Sequence, residues 1–271
     1  YSDAGEFPLE MNLDGKQTIV QTVDSISQMI SDPFIFGRIA ALHALSDLAV
    51  SNAIPLTALS MINIQRAKRN LQESDLTNML SGALLEFSKA KIKLIGGHTS
   101  QSFENSLGFA ITGIKKNTGH FESSKLLEKE RQTTFSIILT KPLGIGIILA
   151  ASMRNLVSEQ NYQECIDCML KSNLEPAQFL WKNGALAMTD VTGFGLARHI
   201  ENITMDLQNH FGVDIGAQLI LSNIPMIDGV HQIIEKTSIR ATLNESNKKA
   251  TRYLDRSKCK TIPLSAILFD P

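Results

Sequence analysis

TVDSISQMISDPFIFGRIAALHALSD, residues 22–47, is the stretch that decides how the N-terminal half of this chain folds. The residues leading to Asp24 are rich in β-branched side chains, which predicts a strand that delivers this carboxylate to its end. Asp32-Pro33 then predicts the start of a helix, because proline is favoured in the first helical turn. Apolar residues recur at helical spacing from there to Asp47. The stretch therefore predicts a strand and a helix that each present a carboxylate near one end.

Acidic residues in these positions have two interpretations. Asp24 and Asp47 could hold a hard cation such as Mg²⁺, which takes oxygen ligands and usually keeps water and phosphate ligands as well. Alternatively, Asp32 caps the helix and the other two are turn residues at the surface. His43 and Asp47, four residues apart, could form a metal-binding couple or an ordinary contact on the helix surface. These residues alone leave the alternatives open.

The composition is that of a soluble globular chain. Its 271 residues are enough for one large domain or two ordinary ones. Apolar residues make up 43%, charged residues 20%, and the net charge is −1. This balance argues against a nucleic-acid-binding or membrane-surface protein, because both carry a basic excess. We expect no membrane-spanning run and no signal peptide. Three cysteines, an odd number, do not make a disulfide framework, so we expect a cytoplasmic protein.

The elements around this stretch predict an N-terminal domain of mixed α/β type. A hairpin is predicted before it, with turn residues over Asn12–Gly15. After it, strands and one amphipathic helix alternate. The strand predicted over Lys91–Ile95 leads into a glycine-rich loop. This order predicts a sheet with helices on one face. The predicted elements are a strand over Leu56–Ile64, a helix over Glu73–Lys89, a strand over Lys91–Ile95 that runs into Gly96-Gly97-His98-Thr99, and a strand over Ser106–Ile114.

A polar, charged segment over residues 115–132 predicts the boundary between two domains, residues 1–117 and 118–271. The second domain is also expected to be α/β. Its predicted strands are Thr133–Thr140 and Val213–Leu221. Its predicted helices begin at Ile147 and Leu196 and cover Tyr162–Lys171, Pro176–Asn183 and Ile227–Lys236.

Three local patterns in the second domain carry candidate chemistry. Gly144-x-Gly146 precedes a helix, where backbone N–H groups could bind phosphate, but it could equally mark tight packing. Asp190 precedes Val-Thr-Gly-Phe-Gly at a helix start, which suits a metal-bridged phosphate, although a helix-capping aspartate would look similar. Cys165-x-x-Cys168 predicts two buried small side chains on one helical face, because a structural zinc ion usually takes four Cys or His ligands.

Six motifs in the same order resemble the selenide, water dikinases (selenophosphate synthetases), which belong to the aminoimidazole ribonucleotide synthetase-like ATP-binding superfamily. The resemblance runs from about Ser2 to the C-terminal Phe-Asp-Pro. Each motif alone is weak evidence, but six motifs in the family's order and spacing make the resemblance specific. The motifs are TVD at Thr22–Asp24, DPFIFGRIAALHALSD at Asp32–Asp47, PLTAL at Pro55–Leu59, GGHT at Gly96–Thr99, LTKPLGIG at Leu139–Gly146 and MTDVTGFGLARH at Met188–His199.

The resemblance implies an ATP-using phosphotransferase that makes selenophosphate, AMP and orthophosphate from selenide, ATP and water. It implies a homodimer in which the N-terminal domains pair into a β-barrel, followed by a C-terminal α/β domain that is truncated at its C-terminal end. In the family, aspartates hold the nucleotide phosphates through Mg²⁺, which lets acidic side chains bind a polyanion. The matching metal ligands are Asp3, Asp24, Asp47 and Asp190. The matching nucleotide contacts are Asp24, Asp47, Gly96, Gly97, His98 and Thr99.

The chain departs from the family at several positions. Asp3 lies in Ser-Asp-Ala-Gly, where the family usually has Asp-Asp-Ala-Ala. His43 stands where the family commonly has Asn, and Arg198 replaces a usual Gly before His199. The family's glycine-rich loop, with its catalytic Cys or selenocysteine and a nearby Lys, would precede Ser2. We therefore expect no catalytic residue within this stretch, and we expect a piece of a longer protein that is inactive by itself. An upstream fused domain is possible.

Two other functions stay open alongside selenophosphate synthesis. One is another ATP-using enzyme of the same superfamily, acting in purine or thiamine phosphate chemistry. The other is a non-catalytic nucleotide-binding dimer module that lacks the N-terminal nucleophile. The Thr-Asp-Val-Thr-Gly-Phe-Gly segment together with Leu-Thr-Lys-Pro-Leu-Gly favours the selenium branch. The expected partners are a second copy of the chain, ATP and selenide, with neither nucleic acid nor membrane.

Overall fold

The structure is a computed structural model that describes residues 4–9, 17–116, 134–237, 239–253, 255 and 263–271. The chain forms two compact units. The N-terminal unit lies within residues 2–121 and 170–188, and the C-terminal unit lies within residues 122–169 and 189–271. The predicted domain boundary after residue 117 falls outside the described residues and stays a prediction.

A five-stranded mixed sheet forms the N-terminal unit, with the strand order β1-β2-β5-β3-β4. Neighbouring strands are antiparallel except β3 and β4, which are parallel and therefore need a crossover connection. The mixed α/β fold expected for this part of the chain is confirmed. The strands are β1 Gly5–Leu9, β2 Gln17–Ser27, β3 Ala53–Gln65, β4 Lys93–Ser102 and β5 Ser106–Lys115.

Two helices cover one face of this sheet, α1 over Pro33–Val50 and α2 over Arg69–Lys89. The Asp32 side chain accepts hydrogen bonds from the backbone N–H groups of Phe34 and Ile35, so it caps α1 as predicted. The two helices approach closely through glycines: a Cβ added at Gly82 would lie 2.0 Å from the carbonyl oxygen of Phe34. The backbones of α1 and α2 are therefore in direct contact at this glycine.

Helix α1 is long and apolar enough to cross a membrane by length and composition, which the sequence reasoning did not expect. Of this 18-residue window, 67% is buried inside the protein. The helix packs against the sheet, against α2 and against α5, which covers Leu174–Lys182. Apolar residues on all sides of α1 thus face protein, as expected of a buried core helix. Among the described residues it is the one helix that meets the membrane criterion.

The opposite face of the sheet is exposed and partly apolar. One row across it runs from Val23 on β2 to Ala110 on β5, Leu59 on β3 and Gly96 on β4. Val23 is 62% exposed and Leu59 is 44% exposed. We call this surface the open face of the sheet, and its members lie on the side away from α1 and α2.

Residues 170–188 belong to the N-terminal unit, although the sequence reasoning placed them in the second domain. Helix α5 packs against α1, and the Asn173 side-chain amide before it donates to the Ser46 hydroxyl at 2.9 Å. The hydrophobic spacing of Pro176–Asn183 predicted the helix correctly within two residues at its start. It could not indicate which unit the helix would pack against.

The C-terminal unit is built from helices around a core that includes Ile147, Cys165, Leu196 and Ile267. Its described residues contain no strand ladder, only an isolated bridge between Leu143 and Met226. The helices are α3 Ile145–Ser152, α4 Glu159–Met169, α6 Gly195–Phe211, α7 Val230–Lys236 and α8 Asn244–Ala250, with 3₁₀ turns at Leu221–Asn223 and Pro263–Phe269.

The strands predicted over Thr133–Thr140 and Val213–Leu221 were wrong in the described part of the chain. Neither segment belongs to a strand or has a hydrogen-bonded partner strand among the described residues. Phe135, Ile137 and Ile138 are exposed, so this segment does not bury an apolar face. An extended segment needs a partner ladder and a buried face to become a stable strand.

Candidate functional site

Strand β2 and helix α1 pack against each other and carry the two central aspartates of the predicted site on their facing sides. Thr22 and Asp24 are two residues apart on β2 and share the face toward α1, where His43 and Asp47 lie one turn apart. The Nε2 atom of His43 is 2.7 Å from Oδ2 of Asp24. The Thr22 hydroxyl donates to Oδ2 of Asp47. We call Asp24 and Asp47, held by these two crossing contacts, the carboxylate pair.

The Asp24 carboxylate is partly buried and well supplied with donors. Burial raises its pKa, but the hydrogen bond and charge of His43 and the Ser25 N–H lower it, and the net pKa is below the usual aspartate value. The Ser25 N–H donates to Oδ1 at 2.9 Å. The carboxylate is therefore ionised at neutral pH. Its side chain keeps 31% exposure, so a cation could reach it.

His43 contacts a different partner from the one the sequence suggested. The four-residue spacing indicated Asp47 as the alternative partner on the same helix, whereas the ion pair joins His43 to Asp24 on β2. At this distance Nε2 must carry the proton, because a carboxylate oxygen only accepts. The imidazole thus serves as a hydrogen-bond donor to Asp24.

The carboxylate pair fits what Mg²⁺ requires from a protein. Among the described residues, no group of three or more His, Cys, Asp or Glu side chains lies close enough to hold a metal ion. Mg²⁺ does not need such a cage, since it is commonly bound through one or two carboxylates while water and phosphate oxygens complete its shell. Asp24 and Asp47 supply this set of hard oxygen donors.

Gly96–Thr99 lies inside β4 rather than in a loop after it, which corrects the predicted end of that strand at Ile95. The pairing with β3 shifts register between Ala58 and Leu59, and a Cβ at Gly97 would lie 2.1 Å from the Ser60 hydroxyl. Glycine is thus needed for the close approach of β3. The sheet separates β4 from β2 by two strands. At about 4.8 Å for each of three steps, this is about 14 Å, so one chain does not bring Gly96–Thr99 to the carboxylate pair.

Asp190 lies in the C-terminal unit and is only 7% exposed. It does not cap the following helix, because α6 begins at Gly195 with Phe194 at its N-cap and no side-chain cap. The helix-capping alternative for Asp190 is therefore wrong. Instead, the Thr189 hydroxyl donates to the Asp190 carbonyl oxygen at 3.1 Å, which ties the segment to its neighbours.

His199 organises the segment around Asp190, a role the sequence reasoning did not assign. Its Nε2 accepts the Thr192 N–H at 3.3 Å, and its Nδ1 lies 3.1 Å from the Thr189 hydroxyl. Burial, with a smaller effect of the Arg198 charge, lowers the pKa of His199 to about 4. The ring is therefore neutral, with its proton on Nδ1. A histidine in the first turns of a helix, preceded by Thr189 and Thr192, was the available signal.

The two glycines at the start of α3, Gly144 at its N-cap and Gly146 in its first turn, serve packing rather than phosphate binding. The Gly146 N–H donates to Oδ2 of the chain's own Asp270 at 3.1 Å, and a Cβ at Gly144 would lie 2.4 Å from Val230 Cγ2. Burial raises the pKa of Asp270 to about 8. Of the two interpretations of this pattern, the structure favours tight packing.

Cys165 and Cys168 are buried on one face of α4, which confirms the prediction of two small core side chains. Burial raises the pKa of the Cys165 thiol to about 12, so it is not a reactive thiolate. Asp3 and Cys259 lie outside the described residues, so the metal role expected for Asp3 stays a prediction.

Comparison with known proteins identifies relatives over most of the chain. Residues 2–114 match the family described as AIR synthase related protein, N-terminal domain. The selenide, water dikinase of Carboxydothermus hydrogenoformans is 33% identical over 215 residues, which covers 79% of this chain and 58% of that protein. The chain thus spans less than two thirds of the length of this curated relative.

Solved structures with low sequence identity share the fold. AaThiL complexed with AMPPCP and TMP superposes with a TM-score of 0.65 at 16% identity, covering 97% of this chain and 74% of that one. Hydrogenase maturation protein HypE in complex with ATP superposes with a TM-score of 0.60 at 13% identity, covering 84% and 65%. The resemblance drawn from the sequence motifs is confirmed: this chain is similar to the selenide, water dikinases and contains an AIR synthase related N-terminal domain.

Proposed function

We propose that this chain forms the nucleotide-binding part of an ATP-dependent enzyme that converts selenide, ATP and water into selenophosphate, AMP and orthophosphate. The observation that carries the proposal is the carboxylate pair, in which β2 and α1 carry Asp24 and Asp47 on facing sides and each acid accepts a hydrogen bond from the opposite element. The relatives named selenide, water dikinase and the neighbour solved with ATP support the same reaction class. The location in the cytoplasm and an upstream fused domain stay predictions.

In this proposal Asp24 and Asp47 bind Mg²⁺ that neutralises the phosphates of ATP, and Asp190 and Asp3 are further cation ligands that the family resemblance implies. The bound cation would neutralise phosphate charge and stabilise the charge that develops on the transferred phosphoryl oxygens. The chain's own contribution is to keep Asp24 ionised and to hold these side chains in place. The hydrogen bonds of Asp24 and the His199 contacts around Asp190 serve that task.

A second copy of the chain is part of this proposal, as the family resemblance implies. Two strands separate Gly96–Thr99 on β4 from β2 in the same sheet, so a single N-terminal unit does not bring the expected nucleotide contacts to the carboxylate pair. The open face of the sheet carries exposed apolar side chains that a second sheet could bury. A homodimer formed through this face would place the sheets of two chains together as a barrel.

The proposal predicts Mg²⁺-dependent ATP binding through the three described aspartates. Asp24→Asn, Asp47→Asn and Asp190→Asn should each raise the Kd for MgATP by about tenfold or more, because an amide is a neutral and weaker cation ligand. Calorimetric titration of the purified variants measures this change.

Cys165→Ser and Cys168→Ser are the matched controls, since both side chains are buried in the C-terminal unit and have no role in the proposed site. They should bind MgATP like the parent. Parent-like affinity in the Asp24→Asn and Asp190→Asn variants would show that the metal assignment is wrong.

A further inference from the structure

Each carboxylate of the pair receives a hydrogen bond from the opposite element. Helix α1 supplies the His43 imidazole to Asp24 on β2, and β2 supplies the Thr22 hydroxyl to Asp47 on α1. The donors, His43 and Thr22, are not themselves proposed as cation ligands. The arrangement fixes the strand against the helix at the point where both acids are presented.

Among the residues that the structure describes, each oxygen of Asp24 has one hydrogen-bond partner. Oδ1 accepts the Ser25 N–H at 2.9 Å and Oδ2 accepts the His43 Nε2–H at 2.7 Å. A carboxylate offers about four lone-pair positions, so one stays available on each oxygen. The side chains of Asp24 and His43 are 31% and 27% exposed, which leaves these positions accessible from solvent.

We propose that His43 is a positioning residue for the cation site, which orients the Asp24 carboxylate so that its remaining lone pairs face a bound Mg²⁺. The inference rests on the proposed function, because it takes Asp24 to be a cation ligand. The terminal torsion of an aspartate has a broad preference, so two donors from fixed elements restrict a group that would otherwise rotate. Hydrogen-bonded neighbours of ligating carboxylates typically contribute 10–100-fold to metal affinity.

His43→Leu tests this role, because leucine has similar bulk but no hydrogen-bond donor. It should raise the Kd for MgATP by about tenfold and leave the Kd for ATP without Mg²⁺ unchanged. His43→Gln keeps a side-chain N–H donor and should retain affinity close to that of the parent. Calorimetric titration at one fixed pH measures all three proteins with and without Mg²⁺.

His231→Leu is the matched control, since His231 forms a similar ion pair with Glu235 at 3.3 Å but lies in α7. It should bind MgATP like the parent. Thermal unfolding checks that each variant is folded. If the leucine variant has no cooperative transition, His43→Ala, which also removes the donor, replaces it.

Two outcomes would overturn the inference. A His43→Leu variant that binds MgATP as tightly as the parent, or more tightly, would show that the imidazole is a bystander or a competitor for Oδ2. Equal losses in the Leu and Gln variants would show a packing role. Asp24→Asn separates these outcomes from failure of the proposed function: if it binds MgATP normally, Asp24 is not a ligand and the proposed site itself is wrong.

Discussion

His199 is the residue on which the geometry around Asp190 most depends. Both of its ring nitrogens are used, with the Thr192 N–H donating to Nε2 and Nδ1 facing the Thr189 hydroxyl. A proton added to Nε2 would abolish the first hydrogen bond and leave a buried charge. The segment that carries Asp190 is therefore stable only while this imidazole is neutral.

This dependence predicts acid sensitivity. The pKa of His199 falls from the ordinary value of 6.5 to about 4 in the folded protein. Between these values the unfolded chain binds a proton that the folded chain does not, so stability decreases as the pH falls from about 6.5 to about 4. The full effect is on the order of 3 kcal/mol, at 1.36 kcal/mol for each pKa unit. Urea unfolding of the parent and of His199→Gln across this range measures it.

The difference between the two proteins isolates His199 from other titrations. Asp270 acts with the opposite sign, because burial raises its pKa to about 8 and stability then falls as the pH rises from about 4. Both proteins contain Asp270, so its effect cancels. The parent should lose stability relative to His199→Gln on acidification, and parallel pH profiles would contradict the neutral, buried imidazole.

At the residue scale, the sequence pattern indicated the two candidate acids, Asp24 and Asp47, but not the side chains that donate hydrogen bonds to them. The predicted strand end and helix end indicated Asp24 and Asp47. The structure places Asp24 inside β2, which continues to Ser27, and gives each acid a hydrogen bond from the facing element. The pairing of His43 with Asp24 could not be predicted, because spacing along one helix says nothing about how that helix is rotated over the sheet. Whether these residues bind a cation stays a prediction.

At the element scale, the helices were predicted best. Apolar periodicity indicated α1 and α2, although α2 begins at Arg69, four residues before the predicted start. Gly37 and Gly82 on these helices let the two backbones touch, as each would clash with the other helix if it carried a Cβ. This close contact depends on the partner element, so a single helical pattern does not reveal it.

Strands depended more on context than on pattern. Strand β4 continues through Gly96–Thr99 to Ser102 because the parallel pairing with β3 supplies hydrogen bonds to a glycine-rich segment that looked like a loop. Thr133–Thr140 has the composition of a strand but no partner ladder in the described part of the chain. Strand pairing thus decides over local propensity in both cases. It extends a strand through glycines, and its absence leaves a strand-like sequence without a strand.

The sheet also carries a prediction about assembly, because its open face leaves Val23 and Leu59 exposed. Sedimentation equilibrium at micromolar concentration should give twice the monomer mass of 29.8 kDa. Leu59→Glu introduces a charge at the centre of this face and should shift the protein to monomer, because burying an unpaired carboxylate is costly.

Leu84→Glu is the matched control for this experiment. Leu84 is similarly exposed but lies on α2, on the other side of the sheet, so its variant should remain dimeric. A folded parent protein that sediments as a monomer would contradict pairing through the open face. It would also weaken the proposed site, because the family resemblance implies a nucleotide pocket that relies on paired N-terminal domains.

At the scale of the whole molecule, the mixed α/β class could be predicted from the sequence. Which segments pack into which of the two compact units could not be predicted. Residues 170–188 follow the first elements of the C-terminal unit in sequence but pack with the N-terminal sheet. Long-range contacts of this kind leave no local signal. The chain spans 58% of the length of its relative from C. hydrogenoformans, so the activity of a whole enzyme stays a proposal.

Phosphorus NMR of selenide, ATP and Mg²⁺ incubated with the protein tests the proposed function most directly. We expect residues 1–271 to bind ATP without forming selenophosphate, since neither Cys165 nor Cys168 is available as a nucleophile. A form that carries the glycine-rich Cys or selenocysteine loop ahead of Ser2 should produce selenophosphate, AMP and orthophosphate. If that form binds ATP and yields no selenophosphate signal, the proposed reaction is wrong and a non-catalytic nucleotide-binding module takes its place.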